Sequence, residues 1–407
     1  MIEQNTITIL NPHADDFLSI PLSFWLIGRK SLKKYEFILQ EPIRRGLHVQ
    51  LFVDGTLSSV IDQSVFANFP AWIRKIILRI EIAIWLRINK ITNNVSVHWS
   101  LDSIRNRSLI YVFSYKNCVG SFDQRKLAIN EFTNALINLS HYFIRTSEKA
   151  ANIDSLSNAI LHVDSDLSDN KYFRTFFPNP PPLIVLPFSV GSRFVVKRPP
   201  SKRSLKCVAT GTFHNLSKEH PSDYYRDFIN FFKKDTYHPI RKALFQRRTE
   251  LTNWLECYVW PYRELNGKRA LSAKLKSLLQ LDVVQSGYFS VDLVCLYNQY
   301  QFAIIGEEIT GAPALGFFEA MACGCICLGS RGSYYDGLGL QPEVHYIEHD
   351  GSVESIRAAI SRISASSTLM QAIVCAGQNY IAKHCTPEAN WANLLASLKR
   401  IADRQCK

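Results

Sequence analysis

The sequence predicts an α/β protein built as two Rossmann-like domains facing a cleft. Three observations carry that expectation. The chain has 407 residues and is 47% hydrophobic, which suits two globular domains with sizeable cores rather than a disordered or fibrous chain. Short apolar runs alternate with helical segments through the second half, the pattern of a parallel sheet covered by helices. Phe302–Ser330 reads as a strand, a small-residue loop, a helix and a second strand. The expected division is residues 1–190 and 191–385, with 386–407 a final helix.

Taking the elements in order, Thr6–Leu10 alternates like a buried strand and runs into Asn11-Pro12-His13-Ala14-Asp15-Asp16. A loop at the carboxyl end of a parallel strand faces the ligand crevice, so His13 and Asp15 are candidate catalytic residues. The plain alternative is helix N-capping by the two aspartates. Arg45–Gly55 reads as a helix end, a strand and a turn.

Ala71–Lys90 places Ile73, Ile76, Ile77, Ile80, Ile84 and Ile88 at helical spacing, with Arg74, Lys75, Arg79, Arg87 and Lys90 off that face and Trp72 and Trp85 added. Such a helix suits an anionic membrane surface. A heavily buried domain helix fits the same letters.

Thr6–Asp16 and Arg45–Gly55 resemble the opening of zinc-dependent deacetylases of the PIG-L type. The resemblance puts His13 and Asp16 on a metal, with Asp15 as general base and Ala14 in place of a proline. It also asks for histidines near Gly120–Arg125, where Ser121 and Gln124 stand instead. The expectation is therefore no metal site, and purification without stoichiometric zinc.

Pro178–Pro182 and a strand at Leu183–Leu186 lead into Pro187-Phe188-Ser189-Val190-Gly191, and residues 197–204 (KRPPSKRS) read as a polar linker. Lys206–Thr210 is a short strand ending in a turn at Gly211-Thr212-Phe213-His214. Tyr224–Lys233 and Ile240–Leu251 read as helices, Glu256–Trp260 as a strand and Lys268–Gln280 as a basic helix. Ser290 is the expected N-cap of a short helix that ends near Leu296-Tyr297.

In the stretch Phe302–Ser330, Phe302–Ile305 is the strand, Glu307 and Glu308 follow Gly306, and Phe317–Ala322 is the helix, stopped by Gly324. Free N–H groups and the helix dipole make such a loop an anion site. Glu319, one turn into the helix, suits a sugar or ribose hydroxyl beside the phosphate. An ordinary strand–helix–strand unit is the bland reading. Pro387–Ala402 carries Trp391, Leu394, Leu395, Leu398 and Ile401 at helical spacing, behind a proline suited to a first turn.

Phe318-Glu319-Ala320-Met321-Ala322-Cys323-Gly324, with the elements from Leu183 to about Ile381, resembles the donor-binding half of GT-B glycosyltransferases. The resemblance implies a nucleotide-diphosphate sugar bound by Gly211, Thr212, Lys218, Glu307, Glu308, Gly311, Ala314, Leu315, Gly316 and Glu319. The leaving diphosphate would be stabilised by helix N–H groups and Lys218. The resemblance also implies that the final helix, 386–407, crosses back onto the first domain; a helix packed within the second domain fits the same letters. An inverting mechanism would use His13 or Asp15 as base. Two departures stand out. Many retaining members carry a second glutamate where Gly311 lies, and an arginine often occupies the position of Thr212. Those departures keep open a non-catalytic, glycosyltransferase-like binding partner beside the enzyme and the deacetylase.

The formal charge is +12, concentrated at Lys197–Lys206, Arg241–Arg248 and Arg263–Lys276. Solvated faces account for most of these residues. No nucleic-acid motif accompanies them, so the expected partners are a nucleotide sugar, a glycan or lipid-linked acceptor, and an anionic membrane surface. No cofactor beyond the donor is expected. The ten cysteines show no CxxC pair, and reduced thiols in the cytoplasm are the simplest reading. Cys323, Cys325 and Cys327 are expected to pack on one face as small hydrophobes.

Overall fold

The computed structural model describes residues 6–11, 35, 37–53, 70–88, 90–112, 118, 122–139, 146–214, 230–261 and 291–405. His13, Asp15, Asp16 and Lys218 lie outside them, as do the basic run Arg263–Lys276 and Ser290.

The first sheet has seven strands: β1 (Thr6–Leu10), β2 (His48–Phe52), β3 (Val95–His98), β4 (Leu109–Val112), β5 (Asn134–Asn138), β6 (Ala159–Val163) and β7 (Leu183–Val185). Its helices are α1 (Phe37–Arg44), α2 (Ala71–Ile88), α3 (Phe122–Asn130), α4 (Thr146–Asp154) and α5 (Lys171–Phe176). The order is β3-β2-β1-β4-β5-β6-β7, all parallel. Runs such as Leu109–Val112 and Ala159–Val163 are buried at every position, as strands covered on both faces must be. The order reverses between β1 and β4, so the segment after β1 starts at the topological switch point. Asn11 makes that exit in the left-handed region at φ 46°, a conformation asparagine tolerates.

The second sheet holds β8 (Ser204–Phe213), β9 (Leu255–Pro261), β10 (Tyr300–Ile304), β11 (Ile326–Ser330) and β12 (Ile347–His349), in the parallel order β12-β11-β10-β8-β9. Around it lie α6 (Pro239–Gln246), α7 (Leu293–Tyr297), α8 (Leu315–Ala322), α9 (Ser333–Gly337), α10 (Val353–Ser364) and α11 (Ser367–His384). Side-chain caps start several of them: Ser352 accepts from the Ser355 N–H and Ser366 from the Leu369 N–H. The switch point of this sheet falls between β8 and β10.

Three local expectations are corrected. β8 does not turn at Gly211; it stays paired with β9 through Phe213, opposite Pro261. α6 ends at Gln246 rather than Leu251, and residues 247–254 form turns. The N-cap of α7 is Asp292, whose carboxylate accepts from the Val294 and Cys295 N–H groups. The three cysteines do pack as expected: Cys323, Cys325 and Cys327 are buried in one apolar cluster, and burial pushes the Cys323 and Cys325 thiols up to about 12.

The segment joining the sheets is held tightly. Buried Asn298 accepts from the N–H groups of Lys197 and Arg198 at 2.6 and 3.1 Å and donates to Val195 and Val294 carbonyls at 3.0 and 2.8 Å. Arg203, also buried, donates to the carbonyls of Arg198, Tyr297 and Cys323 and to Asn298 Oδ1. What reads in sequence as a polar linker is thus bound to the second sheet.

Helix α12 (Pro387–Gln405) returns to α1 of the first sheet, where Glu388 pairs with Arg44. Its Asn390 donates to the Pro187 carbonyl at 2.7 Å and to Ser189 Oγ at 2.8 Å, and the Val190 N–H donates to the Cys385 carbonyl. Aromatic contacts join the sheets above this point: Tyr35 against Phe188 at 6.0 Å and Phe188 against Phe318 at 6.1 Å.

His162 on β6 sits in the same core, its Nδ1 3.0 Å from the Tyr111 hydroxyl, which itself accepts from Asn138 Nδ2. Burial pushes this imidazole down to about 3. The folded chain therefore keeps it neutral while the unfolded chain protonates it near 6.5, so its contribution is present above pH 6.5 and is lost as pH falls toward 3. From pH 7 to pH 5 the expected loss is about 2 kcal/mol. Urea titrations at both pH values should show a loss larger by about that amount in the wild type than in His162→Phe. Equal losses would mean the ring protonates without unfolding.

Candidate active site

The candidate donor segment lies on the carboxyl edge of the second sheet, flanking the β8/β10 switch point, where an open α/β sheet binds ligands. Gly306, just past β10, has no room for a side chain: a Cβ there would come within 2.9 Å of Ile240 Cβ on α6. Gly311 turns the loop at φ +87°, with its N–H on the Glu308 carbonyl at 2.8 Å. Ala314 is the N-cap of α8 and offers no side-chain bond to the first turn. The N–H groups of Leu315 and Gly316 therefore begin the helix without a cap oxygen. Gly316 also lets that turn settle on the strand end, since its Cβ would lie 3.3 Å from Ile305 Cγ2 and from the Tyr297 hydroxyl. Glu319, half-buried on α8, sits close enough to Cys323 to help raise its thiol.

The two glutamates after Gly306 part company. Glu307 is 3% exposed, and its Oε1 accepts from the Ser330 N–H and the Tyr335 hydroxyl, both at 2.6 Å. Tyr335 reaches it across Gly329, where a Cβ would be 2.5 Å from the phenolic oxygen. Glu307 thus braces the ends of β10 and β11 through Oε1. Glu308 is half-buried and accepts from the Tyr237 hydroxyl at 2.6 Å.

Sequence reasoning missed Arg241. This buried side chain, on α6, donates from Nε to the Gly306 carbonyl at 2.7 Å and from Nη1 to the Thr212 carbonyl at 2.9 Å. It crosses Gly211, whose φ is +127° and whose Cβ would lie 3.0 Å from Arg241 Nε. A guanidinium therefore does stand against the carboxyl end of β8, delivered by a neighbouring helix rather than by position 212. The signal was present in the basic run Arg241–Arg248, but composition cannot tell an inward arginine from a solvated one.

Two further features had no sequence signal. His214 and His238 approach with ring centroids 5.7 Å apart beside Tyr237. Tyr334 is buried where Asp164, just past β6, and Glu308 both act on it; burial first, then these two carboxylates, push its hydroxyl up. Ala312, Tyr237 and Tyr334 share an apolar cluster with Leu167, Tyr172 and Phe173 of the first sheet. At the same boundary a Cβ on Gly337 would lie 2.3 Å from Asp166 Cβ. The donor segment is therefore also part of the contact between the two sheets.

On the first sheet, the segment carrying His13 and Asp15 continues from the switch point but lies outside the described residues. Of the stretch tied to the deacetylase resemblance, Asp123 and Gln124 are described and lie exposed at the start of α3. Among the described residues no group of three or more His, Cys, Asp or Glu is placed to hold a metal. No helix among them is long and apolar enough to cross a membrane.

Comparison with solved structures agrees with this architecture over nearly the whole chain. HepE from Anabaena in complex with UDP has a TM-score of 0.52 at 10% identity, covering 97% of this chain and 99% of that one. The same protein with UDP-glucose gives 0.51 at 12% identity over the same shares. Sucrose-phosphate synthase from Thermosynechococcus elongatus gives 0.50 at 11% identity, over 98% and 99%. No family matches the chain by sequence, and no curated protein does so either. The chain has the GT-B fold, the two-sheet α/β architecture of GT-B glycosyltransferases.

Proposed function

We propose that the chain is a glycosyltransferase that moves a sugar from a nucleotide-diphosphate donor to an acceptor hydroxyl. The observation that carries this reading is the uncapped start of α8 at the β8/β10 switch point, with the Arg241 guanidinium behind it. Backbone N–H groups at Ala314, Leu315 and Gly316 suit the donor diphosphate. Glu319 suits a hydroxyl of the sugar or ribose, Gly211 and Thr212 border the same crevice, and Lys218 adds a cation. His13 or Asp15 would act as base if the reaction inverts. The UDP and UDP-glucose held by HepE make uridine donors the first to test. The acceptor reading is a cell-surface glycan or lipid-linked saccharide, made at the cytoplasmic face of a membrane, with no cofactor beyond the donor.

The test is thermal stabilisation by UDP, ADP and GDP, followed by donor hydrolysis and transfer. A stabilising nucleotide whose sugar conjugate turns over supports the enzyme. Absence of any nucleotide binding sinks it. A second reading, a non-catalytic donor-binding partner, is favoured by Gly311, because a left-handed backbone at φ +87° disfavours the glutamate found there in many retaining enzymes. Nucleotide binding without turnover is its signature.

Glu319→Ala is expected to weaken use of the accepted donor by about 1.5–3 kcal/mol, in KM, kcat or both, with unfolding unchanged. Unaltered steady-state kinetics would remove Glu319 from the site.

A further inference from the structure

Helix α2 is apolar on two sides. Its inner side places Leu78, Ile82, Trp85 and Leu86 in the core of the first sheet. Its outer side leaves Trp72 65%, Ile76 47%, Ile80 52% and Ile84 37% exposed. These four recur every fourth residue, so they form one stripe along the helix. Ile73 and Ile77 border it, half-buried. A helix that is hydrophobic all round is normally buried all round, and this one is covered on one side only. The sequence-level picture is corrected in one respect: Trp85 belongs to the core, and Trp72 alone of the two tryptophans heads the outer stripe.

The described charged side chains of α2 itself are all cations. Lys75, Arg79 and Arg87 are exposed, and Arg79 stacks its guanidinium over Trp99 at 4.9 Å, fixed beside the stripe. From Ala71 to Ile88 the sequence has four cations, Arg74, Lys75, Arg79 and Arg87, against one anion, Glu81. An apolar stripe edged by cations and led by a tryptophan is complementary to the interface of an anionic bilayer, where apolar side chains enter the acyl boundary and cations meet headgroup phosphates. A protein partner or a second copy would need an acidic rim around an apolar groove instead.

We infer that α2 docks the protein on an anionic lipid surface, lying in the plane of the interface with Trp72, Ile76, Ile80 and Ile84 inserted. The inference is independent of the donor chemistry.

The experiment is co-sedimentation of the full chain with phosphatidylcholine vesicles, with or without phosphatidylglycerol, at low and high salt. Wild type is expected to bind the anionic vesicles, less so at high salt. Trp72→Ser/Ile76→Ser/Ile80→Ser should lose roughly tenfold or more in partitioning at either salt. Lys75→Gln/Arg87→Gln should lose about fivefold per cation at low salt and little at high salt. Both variants change exposed side chains, so unchanged thermal unfolding and circular dichroism are the folding controls. Failure of the wild type to bind anionic vesicles, or equal partitioning of the wild type and the apolar variant, overturns the inference. So does a dimer in solution that the apolar variant abolishes, which would make a second copy the occupant.

Discussion

Arg241→Ala is expected to lower the unfolding free energy by about 3–5 kcal/mol and to abolish measurable nucleotide binding. The guanidinium is buried and bonds two carbonyls, those of Gly306 and Thr212, on the ends of β10 and β8. Truncation strips both acceptors of a charged donor in a place water reaches poorly, at about 1–3 kcal/mol for each. It also empties the space over Gly211, which holds its φ of +127° against the arginine stem. The carboxyl end of β8 and the start of the donor loop would then move independently. Arg241→Lys keeps the charge but not the fork, so it should recover only part of the stability. Urea unfolding and a nucleotide thermal-shift assay on the three proteins make the check. Unchanged stability in Arg241→Ala would show that the two strand ends are held by something else.

Asn298→Ala should be comparably severe, for a different reason. This side chain uses both lone-pair directions and both amide hydrogens, on Lys197, Arg198, Arg203, Val195 and Val294. Its loss orphans buried backbone groups in the crossing segment and removes a partner of the Arg203 guanidinium. The expected cost is about 3–5 kcal/mol in urea unfolding. Asn298→Asp is the informative control. It preserves the acceptors facing Lys197 and Arg198 but cannot donate to the Val195 and Val294 carbonyls. A result near wild type for the alanine variant would contradict the view that the segment is held by this residue.

The legible and illegible parts of the sequence divide along physical lines. The strands were readable because both faces of a parallel sheet are buried, so Phe302–Ile304 and Ile326–Leu328 are apolar at every position. The α8 loop was readable because Gly and Pro mark the break between a strand and a helix. The end of β8 was misjudged because Gly211 signals a turn, whereas pairing with β9 carries the strand past it. The opposite fates of Glu307 and Glu308 had no local signal. They follow from Tyr335 and Tyr237, which lie far away in sequence. Arg241 was visible only as charge, since its inward direction depends on a glycine thirty residues earlier. The exposed stripe of α2 was half visible: the period marked the isoleucines, but which side faces the core is decided by the strands beneath.

The bond from the Val190 N–H to the Cys385 carbonyl has a mechanical consequence. The described chain passes between the two sheets twice, before Val195 and again at Cys385–Pro387, and this bond ties the passages side by side. Residues from Val195 to Arg203 are fastened to the second sheet, while Asn390 clamps Pro187 and Ser189 to the returning helix. Among the described residues, the exposed stretch 191–193 lies between those fastenings. Two passages tied to each other restrict how the sheets can move relative to one another more than a single connection would. Any opening that parts the sheets must also separate Ala312 and Tyr334 from Leu167 and Tyr172, which share one apolar cluster.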